Sequence, residues 1–162
     1  MKFLPTLLLS LSLIGLPLSA QQQTISLEKH VAQDLGKQVL CMAKNLYYEA
    51  AMEPYEGKLA VAQVTMNRAN SSKFPSSVCD VVYQKTGNTY QFSWVGEKVG
   101  EVKNKYAWEE CLIVAKKALT EPKLHDTIYK TKSMYYHNTS VNPAWKLKYV
   151  AKIGNHLFYT KA

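Results

Sequence analysis

Glu49 is the residue in this sequence whose surroundings most favour chemistry. The aromatic run LYY (46–48) precedes it and two alanines (50–51) follow it. A carboxyl group packed against aromatic rings is partly desolvated, and desolvation raises its pKa because it disfavours the charged form. A raised pKa is what a general acid for glycosidic-bond cleavage needs. The alternative is an ordinary solvated glutamate in the last turn of a helix.

A second carboxylate near Glu49 would indicate a two-carboxylate glycosidase. The candidates are Glu53, Glu56, Asp80 and Glu97, and none is flanked by residues that would support such a role. A single-acid mechanism therefore has to be considered. In it, one glutamate protonates the leaving oxygen and then acts as base on the sugar's own 6-hydroxyl, giving a 1,6-anhydro sugar without a nucleophilic water. This is the lytic transglycosylase reaction.

Residues 1–20 are typical of a secretory signal peptide. Met1-Lys2 gives a short positive region, LLLSLSLIGL (7–16) is an apolar core too short for a comfortable membrane span, and PLSA (17–20) ends in small residues. We expect cleavage after Ala20; an uncleaved N-terminal anchor is the alternative. Residues 21–36 are then expected to be an N-terminal lead-in, flexible at QQQTIS (21–26), and residues 37–162 one catalytic domain, exported to the periplasm or otherwise secreted.

The chain is basic, with a formal charge of +8, and Arg68 is its single arginine. A basic exported protein favours an acidic partner such as cell-wall polymer, anionic lipid or nucleic acid. The lysines are evenly scattered, and there is no zinc-finger spacing or aromatic-glycine RNA-binding signature, so no nucleic acid partner is expected. The four histidines show no tight ligand spacing such as HExxH, so neither a metal nor a cofactor is expected.

Three cysteines, Cys41, Cys79 and Cys111, are too far apart for a CxxC redox or zinc motif. In an oxidising compartment, one disulfide and one buried thiol is the economical interpretation. The spacing does not decide which pair forms. A catalytic Cys-His pair is possible in principle, but no residue near any of the three cysteines supports it.

Two helices are expected on either side of Pro54. The first runs from about residue 37 to about residue 52, because a proline disfavours helical geometry at the residue before it. Its apolar stripe consists of Leu40, Ala43, Tyr47 and Ala50. The second helix starts near Pro54, and KLAVAQVTMNRAN (58–70) is apolar nearly all round, which indicates a central buried helix.

The later elements are shorter. TGNTYQFSWVG (86–96) alternates, with Tyr90, Phe92 and Trp94 on one side, and is expected to be a hairpin. Residues 107–119 are expected to form an amphipathic helix, 79–84 either a helix or a strand, and 133–138 and 156–160 strands. Helices first and short strands later, without βαβ alternation, indicate an α+β domain.

Several motifs follow one another between about Val39 and Tyr159: CMAKNLYYEAAMEPYEGKLAVAQVTMNRAN, FPSSVCDVVYQ, QFSW, YYHN, NPAW and IGNHLFY. In this order they resemble the SleB-like cell wall hydrolases, the family of spore cortex-lytic enzyme catalytic domains. The resemblance implies a lysozyme-like α+β fold in which a helical lobe and a small antiparallel β element enclose a substrate cleft. It also implies peptidoglycan glycan strands as substrate and lytic transglycosylase or muramidase-type cleavage.

The resemblance further implies roles for individual residues. The family's catalytic glutamate corresponds to Glu49. The residues implied to line the cleft or contact substrate are Tyr48, Gln91, Phe92, Ser93, Trp94, Tyr136 and His137. For Tyr136 and His137 the alternative is that they orient Glu49. Those implied to be structural are Asn67, Arg68, Asn155 and His156. The family's common cysteine pair matches Cys41 and Cys79, which implies a disulfide between them and a free Cys111.

The sequence departs from the family beside its expected acid. Many members carry Arg-Gly where this chain has Ala51-Met52, and many carry cysteines flanking QFSW where it has Tyr90 and Gly96. No wall-binding repeat is recognisable. Two alternatives to a lytic transglycosylase therefore stay open: a hydrolysing muramidase or glucosaminidase on the same fold, and a non-catalytic peptidoglycan-binding protein.

Overall fold

The computed structural model describes residues 17–121 and 123–162. The helices in this part of the chain are α1 (Leu18–Ala50), α2 (Tyr55–Ala69), α3 (Val78–Val82), α4 (Lys105–Thr120) and α5 (Asp126–Lys130). The strands are β1 (Lys85–Thr86), β2 (Thr89–Tyr90), β3 (Tyr135–Asn138), β4 (Lys148–Ile153) and β5 (His156–Thr160), and a 3-10 helix spans Ser93–Gly96. Helices followed by a small antiparallel sheet confirm the predicted α+β class.

The chain divides into two compact units, one that ends at Asp34 and one that extends from Leu35 to Ala162. The second unit contains Glu49 and all the other residues to which a role was assigned from the sequence. The predicted signal peptide lies mostly in residues 1–16, outside the described part of the chain. Among the described residues, no helix combines the length and the apolar character needed to cross a membrane.

The helix α1 begins at Leu18, so the predicted helix start near residue 37 is wrong, and QQQTIS (21–26), which was predicted to be flexible, is helical. Residues 21–36 contain no proline and include four glutamines, a residue with high helix propensity. The Thr24 hydroxyl donates to the Ala20 carbonyl oxygen (2.9 Å), as is common for threonine within a helix.

The other end of α1 lies where the sequence predicted it. The helix stops at Ala50, and Pro54 in extended conformation precedes α2. The residues of α1 that are buried are Cys41, Met42, Ala43, Asn45, Leu46 and Ala50. Leu40 is 50% exposed, so its place in the predicted apolar stripe is wrong. The buried face is centred on Met42 and Leu46, which are one turn apart.

The central helix is α2, as its all-round apolar sequence predicted. Its residues 57–65, 67 and 68 are buried, and it contacts α3, α4, α5 and β4. The predicted amphipathic helix is also confirmed as α4, and the ambiguous segment 79–84 is largely helical, as α3. A helix enclosed in this way must find partners for its polar side chains inside the protein, because a buried polar group without a hydrogen bond is costly.

Two polar residues at the end of α2 bind the segment that leads into β3. The Asn67 amide donates to the carbonyl oxygens of Ile128 (2.9 Å) and Ser133 (3.0 Å). Arg68 Nε donates to the carbonyl oxygen of Met134 (2.7 Å). Because β3 begins at the next residue, these three bonds determine where the strand starts. Both residues therefore have the anchoring contacts expected of structural residues.

The three-stranded antiparallel sheet has the order β3-β5-β4. The strands predicted at 133–138 and 156–160 are confirmed as β3 and β5, whereas β4 and the short helix α5 were not predicted. Tyr136 pairs with the fully buried Phe158, while the preceding Tyr135 pairs with Tyr159. Since side chains alternate along a strand, these two neighbouring tyrosines lie on opposite faces of the sheet.

The segment 86–96 is a hairpin only at its start. The strands β1 and β2 pair antiparallel, but the chain then enters the 3-10 helix, so the prediction of a hairpin through residue 96 is wrong. The side chains of this segment nevertheless alternate between buried and exposed, as the sequence predicted. Phe92 and Trp94 are buried, and Gln91 and Ser93 are exposed.

A disulfide joins Cys41 on α1 to Cys79 on α3, with 5.2 Å between the two Cα atoms. This is the pair implied by the family resemblance, and Cys111 is free and buried. The bridge joins residues separated by 38 positions, which corresponds to about 4 kcal/mol in the chain-entropy account of disulfide stabilisation. It ties α3 to the half of α1 that carries Glu49.

A buried carboxylate holds the turn between β4 and β5. The Asn155 backbone N–H donates to Glu53 Oε2 (2.8 Å), and the Asn155 side-chain amide donates to Glu53 Oε1 (3.2 Å). The residue before it, Gly154, has a φ of +58°, and a Cβ added there would collide with Glu53 Oε2. Glycine is therefore required by the backbone conformation and also by the space that the carboxylate occupies.

Alanine substitutions at two glycines separate these requirements. Gly87 has a similar φ of +59° but nothing within 4 Å of an added Cβ. We expect Gly87→Ala to lower the free energy of unfolding by about 1 kcal/mol, and Gly154→Ala by roughly 3 kcal/mol because it also displaces Glu53 from Asn155. Urea unfolding followed by circular dichroism measures both. Equal losses for the two variants would contradict the role of Glu53.

Candidate active site

Glu49 is half-buried in the last turn of α1, where it meets the sheet. The Tyr136 hydroxyl on β3 donates to Glu49 Oε2 (3.2 Å) across 87 positions of the sequence. The Tyr136 ring lies against the rings of His156 (5.1 Å between centroids) and Phe158 (5.7 Å). The helix thus supplies the carboxyl group and the sheet supplies its hydrogen-bond donor.

The pKa of Glu49 is raised above its ordinary value. Burial is the largest cause, because the charged form loses hydration. The hydrogen bond from Tyr136 and the charge of Arg68 lower this pKa, while the charge of Glu97 raises it. The position of Glu49 at the C-terminal end of a helix also disfavours the carboxylate. Glu49 therefore keeps its proton to a higher pH than an exposed glutamate does.

Tyr136 itself stays protonated. Burial and the charge of Glu49 raise the pKa of the Tyr136 hydroxyl well above its ordinary value. The phenol therefore acts as a donor toward Glu49 Oε2 across the working pH range of most proteins.

Tyr47 and Tyr48, which were expected to desolvate Glu49, make their polar contacts elsewhere. Tyr48 stacks on Trp94 with 4.8 Å between ring centroids. The Tyr47 hydroxyl accepts hydrogen bonds from the backbone N–H groups of residues 103–104 (3.2 and 3.1 Å). These rings hold the segment before α4 against α1. The phenol that binds the Glu49 carboxyl group is Tyr136, which the sequence alone does not place there.

Of the four residues in QFSW, two are buried and two are exposed. Phe92 is 3% exposed and Trp94 is 8% exposed, and the Trp94 indole N–H donates to Asn45 Oδ1 on α1 (3.1 Å). These two side chains pack beneath the surface. Gln91 and Ser93 are exposed, so they are the members of this motif that a ligand in solution can reach.

Arg68 is buried between two aromatic rings. Its guanidinium carbon lies 5.4 Å from the centroid of Phe74 and 5.3 Å from that of Phe92, a favourable cation–π arrangement. The guanidinium group keeps a fixed positive charge near Glu49, which lowers the pKa of that carboxyl group. The positively charged guanidinium group of Arg68 is therefore buried among core side chains and is not exposed at the surface.

The two central residues of β3 point in opposite directions. Tyr136 faces Glu49, whereas the His137 ring stacks on Tyr159 (5.2 Å between centroids) and shares a hydrogen bond with its hydroxyl (Nε2 to Oη, 3.0 Å). The other ring nitrogen of His137 lies 2.9 Å from the Asn138 carbonyl oxygen. Of this pair, Tyr136 orients Glu49, and His137 belongs to the outer face of the sheet.

Asn155 and His156 both lie beside Glu53 at the β4–β5 turn. Asn155 donates to both carboxylate oxygens, as described above, and His156 Nδ1 lies 3.9 Å from Glu53 Oε1. Burial lowers the pKa of His156, partly opposed by the charge of Glu53. This buried cluster maintains the hairpin behind Tyr136, whose ring contacts His156.

Among the other carboxylates considered as a second acid, Glu97 is the one that influences Glu49. Glu53 is committed to the β4–β5 turn, and Asp80 is hydrogen-bonded within the first turn of α3. Glu56 lies in the first turn of α2. Glu97 is exposed just after the 3-10 helix, and its charge raises the pKa of Glu49.

Cys111 and the histidines do not form a further reactive site. Burial raises the pKa of the Cys111 thiol to about 11, so the nucleophilic thiolate is scarce near neutral pH. In the ranges 17–121 and 123–162, no three His, Cys, Asp or Glu side chains cluster closely enough to hold a metal ion.

Three residues near this site received no role from the sequence: Asn45, Tyr135 and Trp145. A buried asparagine within an apolar helix face was a signal for Asn45, which accepts the Trp94 N–H. Tyr135 and Trp145 lie in the motifs YYHN and NPAW. The motifs indicated the family but did not show that these two rings meet, with 6.3 Å between centroids.

The sequence profile of the Cell Wall Hydrolase family matches residues 52–159. The chain belongs to this family. The matched range includes QFSW, β3 and the β4–β5 turn, and it begins just after Glu49. The identity of Glu49 as the acid therefore rests on the motif around it and on its contacts with the sheet.

Curated relatives agree with this membership. The spore cortex-lytic enzyme of Oceanobacillus iheyensis is 31% identical over 120 residues, covering 72% of this chain and 39% of that protein. The spore cortex-lytic enzyme of Bacillus subtilis is 30% identical over 120 residues, covering 72% of this chain and 35% of that protein. The chain thus spans well under half the length of these relatives.

Two solved structures share the fold. The catalytic domain of the Bacillus cereus SleB protein superposes with a TM-score of 0.54 at 26% identity, covering 76% of this chain and 89% of that one. The catalytic domain of the germination-specific lytic transglycosylase SleB from Bacillus anthracis gives 0.56 at 26% identity, covering 76% and 93%. The similarity therefore extends over nearly the whole of each catalytic domain.

Removing the Tyr136 hydroxyl should raise the pKa of Glu49 further. The hydrogen bond from Tyr136 stabilises the carboxylate and lowers the Glu49 pKa. Without it, in Tyr136→Phe, less remains to counteract the rise in pKa that burial causes. The measurement is a carbon-13 NMR titration of the Glu49 side-chain carboxyl group. Tyr135→Phe is the matched control, because that ring lies on the opposite face of β3, and it should shift the titration less. A lower Glu49 pKa in Tyr136→Phe would contradict the assignment.

Glu49→Gln should stabilise the protein, and more so as the pH rises. A folded-state pKa above the ordinary 4.5 means that the favourable contribution of protonated Glu49 is complete below about pH 4.5 and is lost as the pH rises through the raised pKa. Glutamine never ionises and therefore avoids this loss. Urea unfolding of both proteins from about pH 4 to about pH 8 measures the difference. A difference that stays constant across this range would show that the carboxyl group is not perturbed.

Proposed function

We propose that this chain cleaves peptidoglycan glycan strands as a lytic transglycosylase, with Glu49 as general acid and then general base. The observation that carries the proposal is the half-buried Glu49 carboxyl group, with its raised pKa and its hydrogen bond from Tyr136. Membership of the Cell Wall Hydrolase family supports the substrate class. The similar Bacillus anthracis structure, described as a lytic transglycosylase, supports the reaction type.

Glu49 acts twice in this reaction. The protonated carboxyl group donates its proton to the glycosidic oxygen that links muramic acid C1 to the next sugar, and the C1–O bond breaks as positive charge develops at C1. The Glu49 carboxylate then takes the proton of the muramic acid 6-hydroxyl, whose oxygen bonds to C1. The product ends in 1,6-anhydro-muramic acid, Glu49 is protonated again, and no water is consumed.

The surroundings of Glu49 suit both steps. Burial favours the protonated carboxyl group before the reaction, while Tyr136 and Arg68 stabilise the carboxylate that forms after proton donation. Because the Tyr136 hydroxyl donates to Oε2, the acidic proton sits on Oε1. The oxygen that transfers the proton is therefore the one not engaged by tyrosine.

Substrate contacts are assigned to exposed or half-exposed side chains. Gln91 and Ser93 are exposed, and their amide and hydroxyl groups can bind sugar hydroxyl or N-acetyl groups. His137 is half-exposed, but both of its ring nitrogens already have partners, so we assign it no hydrogen bond to the sugar. Phe92 and Trp94 are buried, so we assign them the support of this surface. Tyr48 is half-buried and stacks on Trp94, so it combines partial exposure to a substrate with packing on the buried residues.

The proposal includes export. The predicted signal peptide at residues 1–20 would deliver the domain to the periplasm or to the medium, where peptidoglycan is accessible. The formal charge of +8 includes only one lysine, Lys2, from the predicted signal peptide, so the exported domain stays basic and is attracted diffusely to an anionic wall.

A hydrolysing muramidase or glucosaminidase is the second candidate, and Glu97 is the observation that favours it. Its charge acts on Glu49, so it is close enough to be considered as the base that activates a water molecule. In that reaction the water oxygen, not the 6-hydroxyl, bonds to C1, and the product has a reducing end.

Digestion of purified, delipidated peptidoglycan by the chain without residues 1–20 tests the proposal, with products identified by mass spectrometry. We expect fragments ending in 1,6-anhydro-muramic acid from the wild type. Glu49→Gln should reduce their yield by more than about 100-fold, because a general acid contributes at least that much. Glu56→Gln, an exposed carboxylate on α2, is the matched control and should digest normally.

The products and the Glu97→Gln variant distinguish the candidates. Anhydro ends that persist in Glu97→Gln support the transglycosylase. Reducing ends that disappear in Glu97→Gln support the hydrolase. Absence of products from the wild type, together with retained binding to peptidoglycan, would support the non-catalytic alternative.

A further inference from the structure

The outer face of the three-stranded sheet carries a connected set of aromatic rings. His137 stacks on Tyr159, and Trp145 lies edge-on to both, at 5.4 and 5.9 Å between centroids. Tyr135 lies 6.3 Å from Trp145, and Tyr149 lies 5.9 Å from Tyr159. These five residues are called the aromatic face. None of them belongs to the buried core.

Trp145 combines solvent exposure with contacts to several other rings of this face. It belongs to the NPAW motif in the connection between β3 and β4, and it touches three other rings of the aromatic face. Even so, 44% of Trp145 is exposed, whereas Trp94 is 8% exposed. A large ring that is ordered by its neighbours and yet left in water is typical of a binding surface.

A groove of about 460 Å³ runs along the Trp145 ring. Its lining residues come from QFSW, from the start of β3 and from the NPAW loop, and they are Gln91, Tyr135, Ala144, Trp145, Lys146 and Leu147. The groove thus combines two aromatic rings with an amide and an ammonium group. Gln91 and Lys146 are both exposed, so their polar groups are available to a ligand.

Two chain segments connect this groove with the surroundings of the proposed general acid. On β3, Tyr135 lines the groove and the next residue, Tyr136, hydrogen-bonds the acid. In QFSW, Gln91 lines the groove and the next residue, Phe92, packs beneath the Arg68 guanidinium. Consecutive Cα atoms are about 3.8 Å apart. The groove and the surroundings of the acid therefore share two stretches of backbone, but because side chains alternate along a strand, Tyr135 faces the groove on the side of the sheet opposite Tyr136 and Glu49.

We infer that this groove is a saccharide subsite, in which Trp145 stacks on the face of an N-acetylhexosamine ring of the glycan strand. The inference rests on the proposed function, because it names where that substrate binds. A sugar ring has an apolar C–H face and a polar rim, which match an aromatic wall flanked by hydrogen-bonding groups. Gln91 binds the N-acetyl or hydroxyl groups of this sugar, and Lys146 attracts a carboxylate carried by the strand.

Binding without turnover tests the subsite. Tetra-N-acetylchitotetraose is titrated by calorimetry into Glu49→Gln and into the same variant carrying Trp145→Ala. We expect Trp145→Ala to raise the dissociation constant about tenfold, which corresponds to about 1.4 kcal/mol. Trp145→Phe should recover part of this loss because it retains an aromatic face. Gln91→Ala, a substitution at an exposed position, should weaken binding independently.

Tyr149→Ala in the Glu49→Gln background is the matched control. Tyr149 belongs to the aromatic face and is 55% exposed, but it does not line the groove, so this variant should bind as Glu49→Gln does. Circular dichroism verifies that each variant is folded. If Trp145→Ala does not fold, Trp145→Phe and Gln91→Ala decide the outcome.

The results separate this inference from the proposed function. Equal binding by the Trp145, Gln91 and Tyr149 variants overturns the subsite, while digestion of peptidoglycan by the wild type still supports the proposed function. Digestion without measurable oligosaccharide binding by Glu49→Gln also overturns the subsite. If the wild type neither digests peptidoglycan nor binds the oligosaccharide, both proposals fail.

Discussion

The arrangement of this domain depends on how the buried polar end of α2 finds hydrogen-bond partners. Asn67 and Arg68 are enclosed in the core, where unpaired donors would be costly. The Asn67 amide and Arg68 Nε donate to backbone carbonyls at residues 128–134, immediately before β3, while Arg68 Nη1 is buried without a hydrogen-bond partner among the described residues. Sliding β3 by one residue would break these bonds and would also turn Tyr136 to the other face of the sheet. The bonds that satisfy α2 therefore also bring Tyr136 to Glu49.

The two glutamates around the α1–α2 junction show how burial leads to different outcomes. Glu53 is surrounded by donors at the β4–β5 turn and serves the fold. Glu49 has the Tyr136 hydroxyl and the more distant charge of Arg68, which only partly oppose the effect of burial on its pKa. Burial with so few donors therefore leaves the pKa of Glu49 above its ordinary value.

The pattern of apolar residues along the sequence predicted the helices and strands that pack against the core, and it missed those that stay largely exposed. The helices α2 and α4 and the strands β3 and β5 have strong apolar patterns. Residues 21–36 are helical, and the apolar residues that recur there at helical spacing, Leu27, Val31 and Leu35, are exposed instead of packed against a core. The edge strand β4 carries lysines and is largely exposed, so alternation was weak there. The motif QFSW alternates like a strand, but its backbone enters a 3-10 helix.

The sequence by itself determined Glu49 as the candidate acid, the Cys41–Cys79 pairing through its family resemblance, and the family to which the chain belongs. These depend on residue types and spacing along the chain. Tertiary structure alone decided that Tyr136 is the donor to Glu49 and that Trp145 lines a groove. The physical reason is that such contacts cross 87 positions in one case and join separate loops in the other. They form only once α2 has fixed the start of β3 and the sheet register has assigned each side chain to a face.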